Sequence, residues 1–470
     1  MRVLCTALLC ISFVSGFSQT IPQRIEKAYS SLENDAQLQY ASASLTVMNA
    51  QSGEIVFSRN GNTGLAPAST LKTITSATAF YLLGSDFTWK TTLGYSGTIS
   101  ADCTLTGDLI LTGGGDPSLG SWRYPQTKPA LLFDKWVKAI RESRIKKISG
   151  RLIADDALFG SQTLPSGWIW QDIGNYYGAG PNSLTWHENQ FDLSFRPGAR
   201  MGDPAILLRT SPEFPSLKIV NEVKTGATGS GDNVYAYSAP YSELIYLRGT
   251  YGIDLKKTIS ASVPDPAFEL ARRLQDTLVG LGFSFAHPAQ TSRQLKSEKE
   301  TFLPAQKIIA VHTSPPLSEI VHWFNKKSVN LFGEHLLKTM AIEKGKRPET
   351  DEAAELVREF WQDYLGIDKN ALNMIDGSGL SPGNRVTTIA MTRILVSAKK
   401  EPWFKTYLES FPVYNNMTMK SGTINGALAY TGYETSASGN QYVFSFIINN
   451  YNGSSSSVRQ KMFRVLDVLK

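Results

Sequence analysis

Between Phe87 and Lys299 the sequence changes character. Short β-type runs such as Trp89–Leu93, Leu105–Leu111 and Val234–Leu247 are separated by glycine-rich turns, with one helical stretch, Ala130–Ile140, among them and another, Pro266–Leu281, closing the region. The residues on either side read differently. Ile21–Leu32 has the apolar spacing of an amphipathic helix, followed by two strand-like runs, Ala43–Asn49 and Glu54–Arg59, around a turn containing Gly53. Beyond Gln306 come longer helical patterns at Pro316–Asn325, Leu331–Ile342, Thr350–Leu365 and Thr387–Ala398, a continuous apolar strand at Tyr442–Ile448, and a last helix at Val458–Leu469. Helix and strand at both ends with a β-rich middle predict one α/β (α+β) domain built from residues 19–86 and 300–470. Residues 87–299 are then an insertion, mostly β, expected to form two small domains.

One helical stretch carries chemistry. In Leu65-Ala66-Pro67-Ala68-Ser69-Thr70-Leu71-Lys72-Thr73-Ile74-Thr75, a proline and small residues lead into Ser69, and a helix is expected to run on to about Leu83. Lys72 follows Ser69 by three residues, so one turn places its amine beside the hydroxyl. Serine is a weak nucleophile until a base takes its proton; lysine serves if burial or a second cation keeps it neutral. Roughly two S-x-x-K matches arise by chance in a chain this long, and most lie on solvated faces. The apolar neighbours Leu71, Ile74, Ala77 and Phe80 set this one apart, because they predict a buried helix.

Two pieces in the C-terminal half fit the same chemistry. Lys327-Ser328-Val329-Asn330 enters a helix, with Ser328 able to relay a proton and Asn330 able to orient both lysine and a substrate amide. Lys420-Ser421-Gly422-Thr423 follows a strand-like run. A cation, a hydroxyl and a glycine on one strand suit a carboxylate ligand, since the missing side chain lets backbone approach closely.

In this order the three elements match the set used by penicillin-binding proteins and serine β-lactamases. The chain also carries Asp376-Gly377-Ser378-Gly379-Leu380-Ser381-Pro382-Gly383-Asn384-Arg385-Val386-Thr387, Thr313-Ser314-Pro315-Pro316-Leu317 and Gly114-Gly115-Asp116-Pro117. With these it resembles the D-alanyl-D-alanine carboxypeptidase/endopeptidase family, the low-molecular-mass class C penicillin-binding proteins, over nearly its whole length. The resemblance implies a transpeptidase-like fold, an antiparallel sheet flanked by helices, with the large insertion that β-lactamases lack. It implies Ser69 as nucleophile, Lys72 as general base, and Ser328 and Asn330 completing the proton network. Lys420 and Ser421 would hold the terminal carboxylate of the substrate, with Gly422 and Thr423 on the same strand. The backbone N–H groups of Ser69 and Thr423 would form the oxyanion hole. Val329 stands where the family has aspartate, and Ser421 where threonine is commoner; altered packing with retained chemistry is expected.

Within the insertion, Pro165-Ser166-Gly167-Trp168-Ile169-Trp170-Gln171-Asp172-Ile173-Gly174-Asn175-Tyr176-Tyr177 is similar to the family segment that meets the far end of the stem peptide. There Asp172 would pair with the free amine of a diamino acid and Tyr177 would pack along its alkyl stem. Gly114-Gly115-Asp116-Pro117 reads as a turn and not a phosphate cradle, because Pro117 lacks an N–H.

Arg2, the apolar run Val3–Val14 and Gly16-Phe17-Ser18 read as a secretory signal over residues 1–18, so a periplasmic protein without a membrane span is expected. Cys5 and Cys10 would leave with it. Cys103 alone remains, expected as a small packed hydrophobe without a catalytic role. The five histidines show no metal-ligand pairing, and no metal or other cofactor is expected. The net charge of +6 comes without any nucleic-acid type basic run. The predicted function is that of a serine-type D-Ala-D-Ala carboxypeptidase or D,D-endopeptidase acting on peptidoglycan stem peptides, with β-lactams as covalent inhibitors. Two other readings are open: a serine β-lactamase, opposed by the insertion and by the lack of an obvious catalytic glutamate, and a non-catalytic wall-binding or sensor protein, which Val329 keeps in view.

Overall fold

The computed structural model describes residues 19–215 and 217–470. The predicted secretory signal lies outside them.

The apolar run Tyr442–Ile448 lies in the strand Gln441–Asn449. Tyr442, Phe444, Phe446 and Ile448 enter one core, Val443 and Ile447 another. A strand covered on both faces needs apolar side chains at successive positions, which is why the run shows no polar alternation. It pairs antiparallel with Ser42–Asn49 from the beginning of the chain and with Ala427–Thr435. The complete sheet has six strands in the order Ile55–Arg59, Ser42–Asn49, Gln441–Asn449, Ala427–Thr435, Met417–Ile424, Val413–Tyr414, all antiparallel. Both ends of the chain therefore build one sheet.

Ile21–Glu33 and Ser455–Leu466 cover one face through Ile25, Tyr29, Val458 and Met462. The other face is covered by Lys72–Leu83, Leu317–Lys326, Asn330–Glu343, Thr350–Leu365 and Thr388–Ala398. Their ends follow local chemistry: Thr387 Oγ1 accepts from the Ala390 N–H to start the last of these, and Gly366 at φ 62° stops Thr350–Leu365. Lys72–Phe80 and Asn330–Ala341 are buried at every position. Any polar side chain on those two helices must find its partner inside the protein.

The inserted segment has its own cores, one around Leu93, Trp136, Ile140 and Leu274, another around Phe191, Leu193, Ile245 and Leu247. The chain enters through Lys90–Tyr95 and returns through Lys307–Thr313, which pair antiparallel in a five-stranded sheet. Residues 307–313, which the sequence pattern places with the helical part, thus run alongside the insertion. The run Leu105–Leu111 is two strands in different sheets, Thr104–Thr106 and Leu109–Thr112. Gly107 turns the chain between them at φ 149°, where a Cβ would lie 2.0 Å from the Ser96 carbonyl oxygen. Val234–Leu247 likewise resolves into the antiparallel pair Asp232–Tyr237 and Leu244–Gly252. Cys103 is half-buried in a turn at φ 64°, not packed in a core. Among the described residues no helix is long and apolar enough to cross a membrane.

Candidate active site

Ser69 lies in a 3-10 turn, Ala68–Leu71, which passes into the α-helix Lys72–Leu83. The single helix expected from Ser69 is therefore two pieces, with Ser69 in the tighter one. Ala68 sits at φ 46°, a conformation uncommon for a residue with a Cβ. Two glycines let their surroundings close on this backbone. A Cβ at Gly379 would lie 1.9 Å from the Ala68 oxygen; one at Gly422 would lie 2.6 Å from the Pro67 oxygen and 2.8 Å from the Ser69 nitrogen. Gly422 thus brings its strand against the turn, and Ser69 and Thr423 line the same cleft.

Lys72 is fully buried. Its Nζ lies 3.0 Å from Ser69 Oγ, 2.6 Å from Asn330 Oδ1 and 2.6 Å from the Ser378 carbonyl oxygen. Burial, reinforced by the charge of Lys420, holds its pKa well below the ordinary lysine value, while Asp376 and Glu334 oppose the shift. Lys420 is also buried and donates to Ser328 Oγ at 3.1 Å and to the Ser421 carbonyl at 2.9 Å. Burial pushes its pKa down to about 7. Ser328 is held at φ 58°, just ahead of the Asn330–Glu343 helix. Val329 is half-buried, packing against the core on one side and lining the cleft together with Ser328 and Asn330 on the other.

The cleft has a volume of about 1130 Å³ and extends from Ser69, Ser328 and Asn330 to the inserted segment, where Asp172 and Tyr177 line it. The Tyr177 hydroxyl donates to Asp172 Oδ1 at 3.3 Å, and Asn330 Nδ2 donates to the Tyr177 carbonyl at 2.8 Å. The two ends of the cleft are thereby tied through one asparagine. Desolvation raises the Asp172 carboxyl above its ordinary pKa, opposed by the Tyr177 hydrogen bond. Ser69, Ser328, Asn330 and Thr423 line the cleft, and Lys72 and Lys420 reach it through their hydrogen bonds to Ser69, Asn330 and Ser328. Gly422 lies against the Ser69 turn; of Ser421 only the backbone carbonyl, which accepts from Lys420, is in contact with this group.

Residues 25–469 match the family described as D-Ala-D-Ala carboxypeptidase 3 (S13). The chain belongs to that family. A D-alanyl-D-alanine carboxypeptidase of an Actinomadura species is 28% identical over 448 residues, covering 89% of this chain and 80% of the relative. The D-alanyl-D-alanine carboxypeptidase DacB of Haemophilus influenzae is 25% identical over 433 residues, covering 86% of this chain and 84% of its own. The crystal structure of penicillin binding protein 4 (dacB) from Haemophilus influenzae shares the fold, with a TM-score of 0.78 at 23% identity over 93% of this chain and 98% of that one. The same protein has also been solved in complex with a β-lactam. This carboxypeptidase is accordingly a serine-type peptidase of mixed α/β fold.

Several buried polar groups outside the three motifs hold the site of this carboxypeptidase together. Asp376 is fully buried and accepts from the N–H groups of Gly379 and Ser381, from Asn384 Nδ2 and from Trp168 Nε1. It folds the loop Asp376–Asn384 and docks the loop carrying Asp172 onto it, helped by Ser381 Oγ donating to the Gly167 carbonyl at 3.0 Å. Glu334, one turn beyond Asn330, accepts from the N–H groups of Gly377 and Ser378. The signal was present: a glutamate inside an apolar helix, and an aspartate leading a run of glycines and serines, both want buried partners. His335 bridges the Gly115 carbonyl and Thr185 Oγ1, and Asp116 accepts from the Ser118 N–H and hydroxyl as a turn residue.

Proposed function

We propose that this carboxypeptidase acts through a Ser69 acyl-enzyme. Neutral Lys72 takes the Ser69 hydroxyl proton as Oγ bonds to the substrate carbonyl carbon, and the carbonyl π pair moves onto oxygen, facing the N–H groups of Ser69 and Thr423. Collapse breaks the C–N bond; the leaving amine takes a proton by way of Ser328, and water then hydrolyses the ester. Lys420 and Ser421 hold the terminal carboxylate, and the arriving anion restores the lysine's proton against the burial that removes it. Asp172 pairs with a free amine on the stem peptide and Tyr177 lies along the alkyl chain between. β-Lactams acylate the same serine. The protein is exported to the periplasm by the leader at residues 1–18.

One observation carries this reading: a fully buried lysine whose Nζ lies 3.0 Å from the hydroxyl of Ser69. A solvated S-x-x-K pair has no reason to be so enclosed. The test is incubation of the purified protein with a pentapeptide ending in D-Ala-D-Ala and with cross-linked wall fragments, followed by product masses. Loss of one terminal alanine or cleavage of the cross-link, absent in Ser69→Ala, supports the proposal. Turnover that survives in Ser69→Ala refutes it.

A further inference from the structure

We propose that Glu334 is a positioning residue for acylation, holding the Gly377–Ser378 peptide so that the Ser378 carbonyl takes one N–H of Lys72 and leaves the amine's lone pair on Ser69 Oγ. This rests on the roles of Ser69 and Lys72 given above. A neutral amine has two N–H bonds and one lone pair, whereas Lys72 Nζ has three oxygens around it. The lone pair reaches the Ser69 proton only if both N–H bonds are occupied elsewhere. Asn330 Oδ1 and the Ser378 oxygen, each at 2.6 Å, are the closer two and are acceptors toward an N–H. Asn330 is itself anchored through its Nδ2 on the Tyr177 carbonyl. The Ser378 carbonyl belongs to a loop and needs an anchor of its own.

Glu334 supplies it. The side chain is buried, on the same helix face as Asn330 four residues earlier. Its Oε1 accepts from the Gly377 N–H at 3.1 Å and from the Ser378 N–H at 3.0 Å, and Oε2 from the Gly377 N–H at 3.2 Å. On the other side, Thr75 Oγ1 donates to the Gly377 carbonyl at 2.7 Å. The peptide is gripped by its N–H groups from one helix and by a carbonyl from the other, which leaves the Ser378 carbonyl directed at Lys72. Burial and the neighbouring Asp376 push the Glu334 carboxyl up to about 8, against the pull of Lys72; Lys338 is the other charged group it faces. Oε1 alone meets both N–H groups, so the grip holds whether or not Oε2 carries a proton. An amide oxygen at this position can do the same.

The test is the acylation rate constant of the full chain with a fluorescent penicillin, measured across the pH range in which Lys72 titrates, for wild type, Glu334→Gln, Glu334→Leu and Glu334→Asp. Glu334→Gln is expected within about threefold of wild type, since its oxygen keeps both N–H groups satisfied. Glu334→Leu and Glu334→Asp, which remove or withdraw the acceptor, are expected to lose about 100-fold, the scale of a misplaced reacting group. In the aspartate variant, which keeps the charge that opposes the Lys72 shift, the acid limb of the profile should move to lower pH because the ammonium form loses the acceptor at Ser378. In the leucine variant it should move further than in the glutamine variant, which loses the same charge; a general loss of stability would add no such movement. Should the leucine variant not fold, the aspartate variant decides. Folded leucine or aspartate variants that acylate like wild type, an unmoved acid limb in the aspartate variant, or a glutamine variant as slow as leucine overturns the inference. Wild type that takes no label at Ser69 would instead refute the acyl-enzyme reading beneath it.

Discussion

Replacing Lys420 by methionine should stabilise the protein while damaging its chemistry. The side chain is buried and, among the described residues, its ammonium meets only a hydroxyl and a carbonyl, with no carboxylate paired to it. Its pKa falls from 10.5 to about 7 on burial, which corresponds to about 5 kcal/mol of folding free energy spent holding the group below the lower value. The sign follows from proton counting. Between about pH 7 and 10.5 the unfolded chain carries a proton at this lysine that the folded chain does not, so wild-type stability rises with pH through that window. Lys420→Met has no such group. It should be more stable than wild type at pH 7, by part of that 5 kcal/mol, and should lose this lysine's contribution to the pH slope. Removing the like charge also lets Lys72 keep its proton to higher pH, so the acid limb of acylation moves up. The loss of a charge-assisted contact to the substrate carboxylate, about 1.5–3 kcal/mol, lowers kcat/KM for carboxylate-bearing peptides roughly 10- to 150-fold. An amide-capped analogue should be affected far less. Denaturant unfolding at several pH values, with the two peptides assayed in parallel, reads all of this. A methionine variant that is less stable than wild type, or that loses both peptides equally, would refute the reasoning.

Gly422→Ala places a methyl against the Pro67 oxygen and the Ser69 nitrogen, so the strand must back away from the turn; labelling by fluorescent penicillin should fall by about 100-fold while melting shifts only modestly. Trp168→Phe removes the indole donor that lies 2.9 Å from Asp376 Oδ2, leaving a buried carboxylate oxygen one bond short; unfolding should show a cost of about 1–3 kcal/mol. Asp172→Asn keeps the Tyr177 contact but not the charge. KM should rise for stem peptides with a free amine at the third position and stay level for acetylated ones, as steady-state kinetics on the pair would reveal.

The helices and the central strand are legible where one segment carries its own signal. Thr350–Leu365 is plain to the residue because Ala353, Val357 and Trp361 repeat on one face and Gly366 stops it. Tyr442–Ile448 stands out because both its faces are buried. The elements proposed to be catalytic are legible as motifs, since Ser69 and Lys72 are three residues apart and Lys420 to Thr423 share a strand. What the sequence leaves hidden depends on distant partners. Glu334 and Asp376 announce that they need buried partners, but not which ones, since those come from the loop between residues 376 and 384 that closes on them. Lys307–Thr313 groups with the helical part in sequence because its partner, Lys90–Tyr95, lies far back in the chain. The split of Leu105–Leu111 turns on the conformation of Gly107, which a run of apolar residues does not announce.

The central claim is that a buried, neutral Lys72 activates Ser69. Arginine keeps the positive charge but does not give up its proton, so Lys72→Arg isolates the base from the charge. Intact-protein mass spectrometry after exposure to benzylpenicillin, with the adduct mapped by proteolysis, should find wild type labelled at Ser69 and the folded Lys72→Arg protein unlabelled on the same timescale. An arginine variant that acquires the adduct as fast as wild type, or a wild-type adduct on any other residue, would contradict the account.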